Sequence, residues 1–361
     1  MKIADVQAIP LAVPPMGRKI PWIWGAFNQV IVEIKTDDGL VGWGEAFGYG
    51  QPLAATAIVN HTLRPLLIGR DATDIRGIVD SLQRKTHIFG RYGVTIFGIS
   101  GVEIALWDLA GKRAGQPLFR LLGGAESREV KAYASLVRYA DRGQMAEHAV
   151  EALRAGYEMI KLHQIDLESV RTGREALGDG VPVTVDINCE WTPYEAAQMA
   201  VAMDEYDLFW LEEPVWPPED YKGLAEVTES TGVPLASGEN ACTAFQFQQM
   251  MEAGAVTYAQ PSVIKVGGIA EFLKIATLAA THNVSLAPHS PYFGPGFLAT
   301  LHLLAHLRQA TWIEKLYIEL ETPLFTKPIP FQNATYIVPD GPGLGLEIDP
   351  KVLKEYRMKP D

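Results

Sequence analysis

The first fifty residues alternate between apolar and polar positions. Val30-Ile31-Val32-Glu33-Ile34 and Leu40-Val41-Gly42-Trp43 flank Asp37-Asp38-Gly39, which predicts a hairpin with glycine at its tight turn. Between the first strand and this hairpin lies Pro14-Pro15-Met16-Gly17-Arg18-Lys19, followed by Trp22 and Trp24, a loop that carries aromatic side chains. Through 52–123 the apolar period lengthens: Val102, Ala105, Leu106, Leu109 and Ala110 fall at helical spacing, and Gly123-Gly124 stops the run. From about residue 131 short apolar runs begin, at 131–137, 159–163, 181–188, 208–213, 234–240, 257–263, 285–289 and 311–316. Amphipathic stretches of roughly 10–15 residues separate them, the length of crossover helices. Strands alternating with helices make βαβ units and a parallel sheet, and eight such units predict a closed barrel. The runs are almost continuously apolar, as strands covered on both faces must be. The tail after about 326 breaks the rhythm, and its Asp340-Gly341-Pro342-Gly343-Leu344-Gly345 is a turn-rich loop predicted to fold back on the N-terminal region.

Composition narrows the function classes. The 361 residues include 31 basic and 43 acidic side chains, a formal charge of −12. That excess of acid argues against a nucleic-acid partner, whose phosphates need a basic face. No window is expected to supply the run of about 20 apolar residues that spans a bilayer, so no membrane partner is predicted. The start, Met1-Lys2-Ile3-Ala4-Asp5-Val6, lacks the apolar centre of a secretory signal. Two cysteines, Cys189 and Cys242, read as free thiols in a reducing compartment, which predicts a cytoplasmic protein.

The strand ends carry unusual chemistry. Lys161 and His163 close the second barrel run, Asp186 and Asn188 the third, Glu212 and Glu213 the fourth, and Glu239 and Asn240 the fifth. Ser262 and Lys265 lie at the sixth, His289 at the seventh and Glu314 at the eighth. From Lys161 to Asp186, to Glu212 and to Glu239 the chain advances by one β/α unit per step. Equivalent strand ends of a barrel converge on one mouth, where catalytic residues sit. Any one of these acids could be a rim charge paired with a basic residue. Three on consecutive strands cannot stay ionised together without a cation, and oxygen donors alone select a hard metal such as Mg²⁺. Lys161 and His163, two apart on a strand, point the same way. His289 lies beyond the carboxylates and approaches from the opposite side, so a substrate between them has a possible base on each face.

These motifs resemble a known family. Gly42-Trp43-Gly44-Glu45 and Ala105-Leu106-Trp107-Asp108-Leu109-Ala110-Gly111-Lys112 are similar to capping-domain signatures of the enolase superfamily. Trp210-Leu211-Glu212-Glu213-Pro214, Ser237-Gly238-Glu239-Asn240 and Gln260-Pro261 through Gly267-Gly268 are similar to its barrel signatures, and His289 brings the chain closest to the mandelate racemase subgroup. The resemblance implies an α/β fold: a modified (β/α)7β TIM barrel under an α+β capping domain. The expected boundaries are a capping domain at 1–128, a barrel at 129–325 and a segment at 326–361 that returns to the cap. It implies Mg²⁺ held by Asp186, Glu212 and Glu239, and a reaction that removes the proton α to a carboxylate through an enediolate. His163 takes the place of the second lysine in the family's Lys-x-Lys pair, and Lys161 matches the first. Glu314 matches an acid that hydrogen-bonds the substrate carboxylate, for which it would carry a proton. Relatives are often oligomers, which extends the same expectation to this chain.

One departure bears on the reaction. Ser262 stands where relatives with a catalytic histidine carry an Asp partner and where the muconate lactonising branch carries a lysine. The assignment therefore stays open between His163 as base with His289 as acid, and the reverse. The first expectation is dehydration of a sugar acid to a 2-keto-3-deoxy acid. The alternatives are an epimerase, a cycloisomerase acting on a lactone or anhydro sugar acid, and a non-catalytic sugar-acid binder. Asn188, Lys265, Arg18, Lys19 and Tyr49 are the candidates to read substrate polar groups, and Trp22, Trp24 and Phe47 to shape the wall.

Overall fold

The computed structural model describes residues 1–16, 26–125, 127–307 and 312–359. Arg18, Lys19, Trp22 and Trp24 lie outside the described residues. Strands β1 (Ile3–Val13), β2 (Phe27–Thr36) and β3 (Val41–Ala46) form an antiparallel sheet in that order. One face carries the helix Val94–Ala114. The two approach closely because Gly44 has no side chain: a Cβ there would stand 1.9 Å from the Gly101 carbonyl oxygen. Buried Val30, Val32, Ile34, Val102, Ala105 and Leu109 fill the interface between them.

That helix corrects one expectation. By length and composition Val94–Ala114 is apolar enough to cross a membrane, but 83% of its most apolar window is buried inside the protein. It also carries buried acids. Asp108 accepts from the backbone N–H groups of Trp43 (2.9 Å) and Leu344 (2.8 Å) and pairs with Lys112 at 3.0 Å. One carboxylate thus ties the hairpin, the long helix and the C-terminal tail together.

The second sheet is built from β4 (Glu129–Ser135), β5 (Ile160–Leu162), β6 (Val183–Asp186), β7 (Leu208–Glu212), β8 (Leu235–Ser237), β9 (Tyr258–Ala259), β10 (Ser285–Leu286) and β11 (Trp312–Leu316). They are parallel neighbours in chain order, and β11 pairs back with β4, placing Glu314 beside Tyr133. Among the described residues, seven helices of nine or more residues alternate with these eight strands. Asp141, Asp166, Thr192 and Asp220 each accept the backbone N–H three residues on, which starts a helix directly after the preceding strand's loop.

No backbone ladder joins β10 to β11 among the described residues. Ser290 closes that seam instead: its Oγ donates to the Glu314 carbonyl and accepts from the Glu314 N–H, both at 3.1 Å. In the tail, β12 (Phe331–Gln332) and β13 (Thr335–Ile337) form a hairpin, and β13 pairs antiparallel with β4. Arg357 then bridges Leu11 of β1.

Candidate active site

The strands are shorter than the apolar runs, so most chemical side chains stand in the loops just past the strand ends. Asn188, Cys189 and Glu213 bend there with φ of 51°, 60° and 43°. Asp186 and Glu212 end β6 and β7 and are direct neighbours in the ladder. With Glu239 beyond β8, they offer oxygens that all lie within 4.8 Å of one another. Glu213 points elsewhere. Its carboxylate accepts from Asn240 Nδ2 at 2.6 Å, Ser237 Oγ at 3.2 Å and Cys189 Sγ at 3.3 Å. Burial, helped by the nearby Glu239, pushes its carboxyl up to about 7.

Lys161 is the counter-ion of this cluster. It projects from β5 with its side chain 1% exposed, and Nζ lies 2.7 Å from Glu212, 2.7 Å from Glu314 and 3.3 Å from Asp186. Burial works against an ammonium here, but Glu212 and Glu314 outweigh it and hold the group charged, well above its ordinary value. The carboxylates divide accordingly. Burial would raise Glu314, yet Lys161 and His289 more than offset that and leave it below the usual range. Beside Lys161 the ionised form of Glu314 is the favoured one, and its carboxylate also accepts the Ser290 N–H at 3.2 Å. Asp186 is held well below the usual range by Lys161 and His163 against its burial. Glu212 is not: burial dominates, Lys161 offsets it only in part, and the carboxyl rises well above its ordinary value. One ammonium does not neutralise this cluster.

The two imidazoles flank the triad on opposite edges. His163 Nε2 lies 3.1 Å from Asp186 Oδ2, and His289 Nε2 lies 2.9 Å from Glu239 Oε2. Burial would raise Glu239, but His289 outweighs it and holds the carboxyl at about 2. The rings differ in their second nitrogen. His163 Nδ1 meets the Leu136 carbonyl, which can only accept, so a proton sits on Nδ1. His289 Nδ1 is buried with no hydrogen-bond partner among the described residues. Ser262 does not reach it; the Ser262 hydroxyl meets the Tyr292 phenol, which in turn donates to the His289 carbonyl.

A cavity of about 780 Å³ opens over this arrangement. Lys161, His163, Glu239, His289 and Glu314 line its floor, and Tyr49 and Pro291 one wall. Tyr49 donates its phenol to the Pro291 carbonyl across the two sheets' boundary.

Comparison with known proteins agrees with this geometry. The model described as "Enolase C-terminal domain-like" matches residues 144–352, and the model "Mandelate racemase / muconate lactonizing enzyme, N-terminal domain" matches 25–123. The chain belongs to the mandelate racemase / muconate lactonizing enzyme family of the enolase superfamily. An arabinonate dehydratase of Saccharolobus solfataricus is 35% identical over 343 residues, covering 91% of each chain. A D-galactarolactone cycloisomerase of Agrobacterium fabrum is 33% identical over 349 residues, again covering 91% of each. Among solved structures, a racemase from Streptomyces coelicolor A3(2) with bound magnesium superposes with a TM-score of 0.89 at 31% identity, covering 99% of this chain and 100% of that one. The fold and family inferred from the motifs are thereby shown.

Within this superfamily fold the other candidates fall in different places. Asn188 lines the cavity, but its amide Nδ2 donates to Asp186 Oδ1 at 2.8 Å. Lys265 does not line the cavity. Its ammonium lies 4.7 Å over the Phe47 ring and 5.9 Å from that of Phe97, so Phe47 serves as its platform and also stays off the cavity wall. Arg138, Tyr139, Gln164 and Arg142 line the cavity and were not singled out from the sequence. Their signal was position alone: each follows the end of a barrel run within a few residues.

Proposed function

We propose that this protein is a magnesium-dependent dehydratase of a sugar acid, removing the proton α to a carboxylate and expelling the β-hydroxyl as water. The residues present fit the metal. Asp186, Glu212 and Glu239 supply oxygen donors only, within one ion's reach, and their charge exceeds what Lys161 compensates. These three would hold the ion; when bound, magnesium supplies positive charge for the substrate carboxylate and for the negative charge that develops as the α proton leaves.

The observation that carries the reading is the unequal preparation of the two imidazoles. His163 keeps its Nδ1 proton on the Leu136 carbonyl, so the nitrogen that exchanges protons with the cavity is Nε2. His289 presents Nε2 to a carboxylate, which accepts a proton and cannot donate one when ionised, so this nitrogen carries the proton. His163 Nε2 faces Asp186 in the same way, at 3.1 Å, so the difference between the rings lies at Nδ1. Among the described residues only His163 has an acceptor there, which keeps it a neutral Nδ1–H imidazole when Nε2 is free of its proton. On that difference we assign His163 as the base for the α proton and His289 as the acid that delivers a proton to the leaving oxygen from the other edge. Lys161 keeps its proton throughout and sets the charge beneath the substrate carboxylate, while Glu314 anchors Lys161.

A second reading, cycloisomerisation of a sugar-acid lactone or anhydro acid, uses the same base and acid with a ring oxygen as leaving group. It is supported by the cycloisomerase among the relatives. Free Cys189 and Cys242 support a cytoplasmic setting for either reaction. Aldonic, aldaric, lactone and anhydro acids incubated with protein and Mg²⁺ in heavy water separate the readings. A 2-keto-3-deoxy acid from an open-chain acid is the expected product. Ring opening without loss of water supports the cycloisomerase, and deuterium at the α carbon with neither supports an epimerase. Substrate binding with no exchange and no product overturns the enzymatic reading.

A further inference from the structure

Arg138 lies three residues beyond the end of β4 and lines the cavity half-buried. Its guanidinium is fixed along one side. Nε donates to the His163 carbonyl at 3.0 Å, and Nη2 donates to the Ile187 carbonyl at 3.4 Å and to Asn188 Oδ1 at 3.3 Å. All three acceptors are neutral. No described residue accepts from Nη1, and no described carboxylate pairs with the group. The other cations around the cavity are engaged: Lys161 on three carboxylates, and Arg142 on Asp166 at 3.2 Å. A rigid, half-desolvated guanidinium with one open edge and no counter-ion is built to receive an anion, and a carboxylate matches its geometry.

The position of that anion follows from Asn188. This residue accepts from Arg138 through Oδ1 and donates to Asp186 through Nδ2 at 2.8 Å, so one amide side chain separates the guanidinium from the carboxylate triad. We propose that Arg138 binds the distal carboxylate of a dicarboxylic sugar acid, so that an aldaric acid is the substrate class and an aldonic acid, ending in a neutral hydroxymethyl group, is selected against. This deepens and rests on the sugar-acid reading above. It makes Arg138 a specificity residue, with no part in proton transfer.

The test pairs galactarate with galactonate, which differ only at the distal carbon. Wild-type kcat/KM is expected to be at least 100-fold higher on the diacid. Arg138→Gln should remove about 100-fold on galactarate, chiefly through KM, and less than 5-fold on galactonate; Arg138→Lys should recover part of the loss. Equal use of both acids by the wild type overturns the proposal. So does an Arg138→Gln variant impaired alike on both, which would assign Arg138 to holding Asn188 and Asp186 in place. If no sugar acid reacts, the dehydratase reading falls while Arg138 is still decided by calorimetry with Mg²⁺. Galactarate binding at least tenfold weaker to Arg138→Gln than to wild type supports it, and equal or absent binding to both proteins overturns it.

Discussion

Replacing Lys161 with Met removes the one ammonium from a cluster of three carboxylates while keeping most of its volume. Glu212 and Glu314 each lose a 2.7 Å charged contact and Asp186 a 3.3 Å one, and none of the three side chains is more than 1% exposed. Removing one partner from a buried ion pair costs about 3–5 kcal/mol, because the remaining charge has neither water nor a counter-ion. At about 2.1 cal/mol/K of unfolding entropy per residue, that corresponds to a fall of about 4–7 °C in the melting midpoint of a chain this long. The measurement is thermal unfolding of both proteins in EDTA and in Mg²⁺. In EDTA the full difference is expected. In Mg²⁺ both proteins gain stability, about 2.7 kcal/mol at a hundred times Kd. The variant should gain more, because the metal then stands in for the positive charge that Lys161 supplied. The pH dependence has a definite sign. Without the ammonium, burial raises the folded-state pKa of these carboxyls above the unfolded value. Their contribution is then present at low pH and lost as pH rises, so the deficit opens from about pH 4 upward. A variant that melts within about 1 °C of wild type in EDTA at pH 8 would refute the view that Lys161 compensates the cluster.

Three further outcomes are expected. Glu239→Gln should weaken Mg²⁺ binding at least about 100-fold by calorimetry, beyond the range seen for outer-shell partners, and abolish turnover; unchanged metal affinity would remove Glu239 from the ligand set. Glu103 reaches from the long cap helix to accept the N–H groups of Ile269 (2.7 Å) and Ala270 (2.9 Å) at the start of a barrel helix, where a Cβ on Gly268 would stand 2.2 Å from its Oε2. Glu103→Ala should therefore cost about 1–3 kcal/mol in urea unfolding. Burial pushes the Glu103 carboxyl up to about 7, against the pull of those N–H groups. Its stabilising effect is thus full below its unfolded-state pKa of about 4.5 and declines as pH rises through 7. Glu103→Gln should flatten that decline, and an identical pH profile would argue against a titrating Glu103. Ser290→Ala removes the side-chain closure between β10 and β11 and leaves two Glu314 backbone groups without it; a loss of about 1–3 kcal/mol is expected, and a loss under about 0.3 kcal/mol would show that the seam holds without Ser290.

Particular residues show where sequence reading reached and where it stopped. The carboxylates at 186, 212 and 239 were legible because a β/α unit has a nearly constant length, so residues one unit apart recur at one end of the barrel. The imidazoles at 163 and 289 were legible for the same reason. Glu103 was not, since an acid inside an apolar helical run looks the same whether it faces water or caps another helix. Arg138 was equally silent: an arginine in a βα loop gains meaning only from carbonyls supplied by residues 25 and 49 positions away. The membrane-length helix Val94–Ala114 escaped notice because Glu103 and Asp108 interrupt it, and only its packing says why they are there.

The order of elements, the closure expected of eight repeats and the identity of the chemical side chains at the mouth were all set by local pattern. Periodicity and unit length are properties of the chain itself. The sharing of one ammonium among three acids, the nitrogen each histidine turns to the cavity, and the open edge of Arg138 were decided by tertiary structure alone. They depend on separations of a few ångströms and on the exclusion of water, and neither exists until barrel and cap have closed around the site.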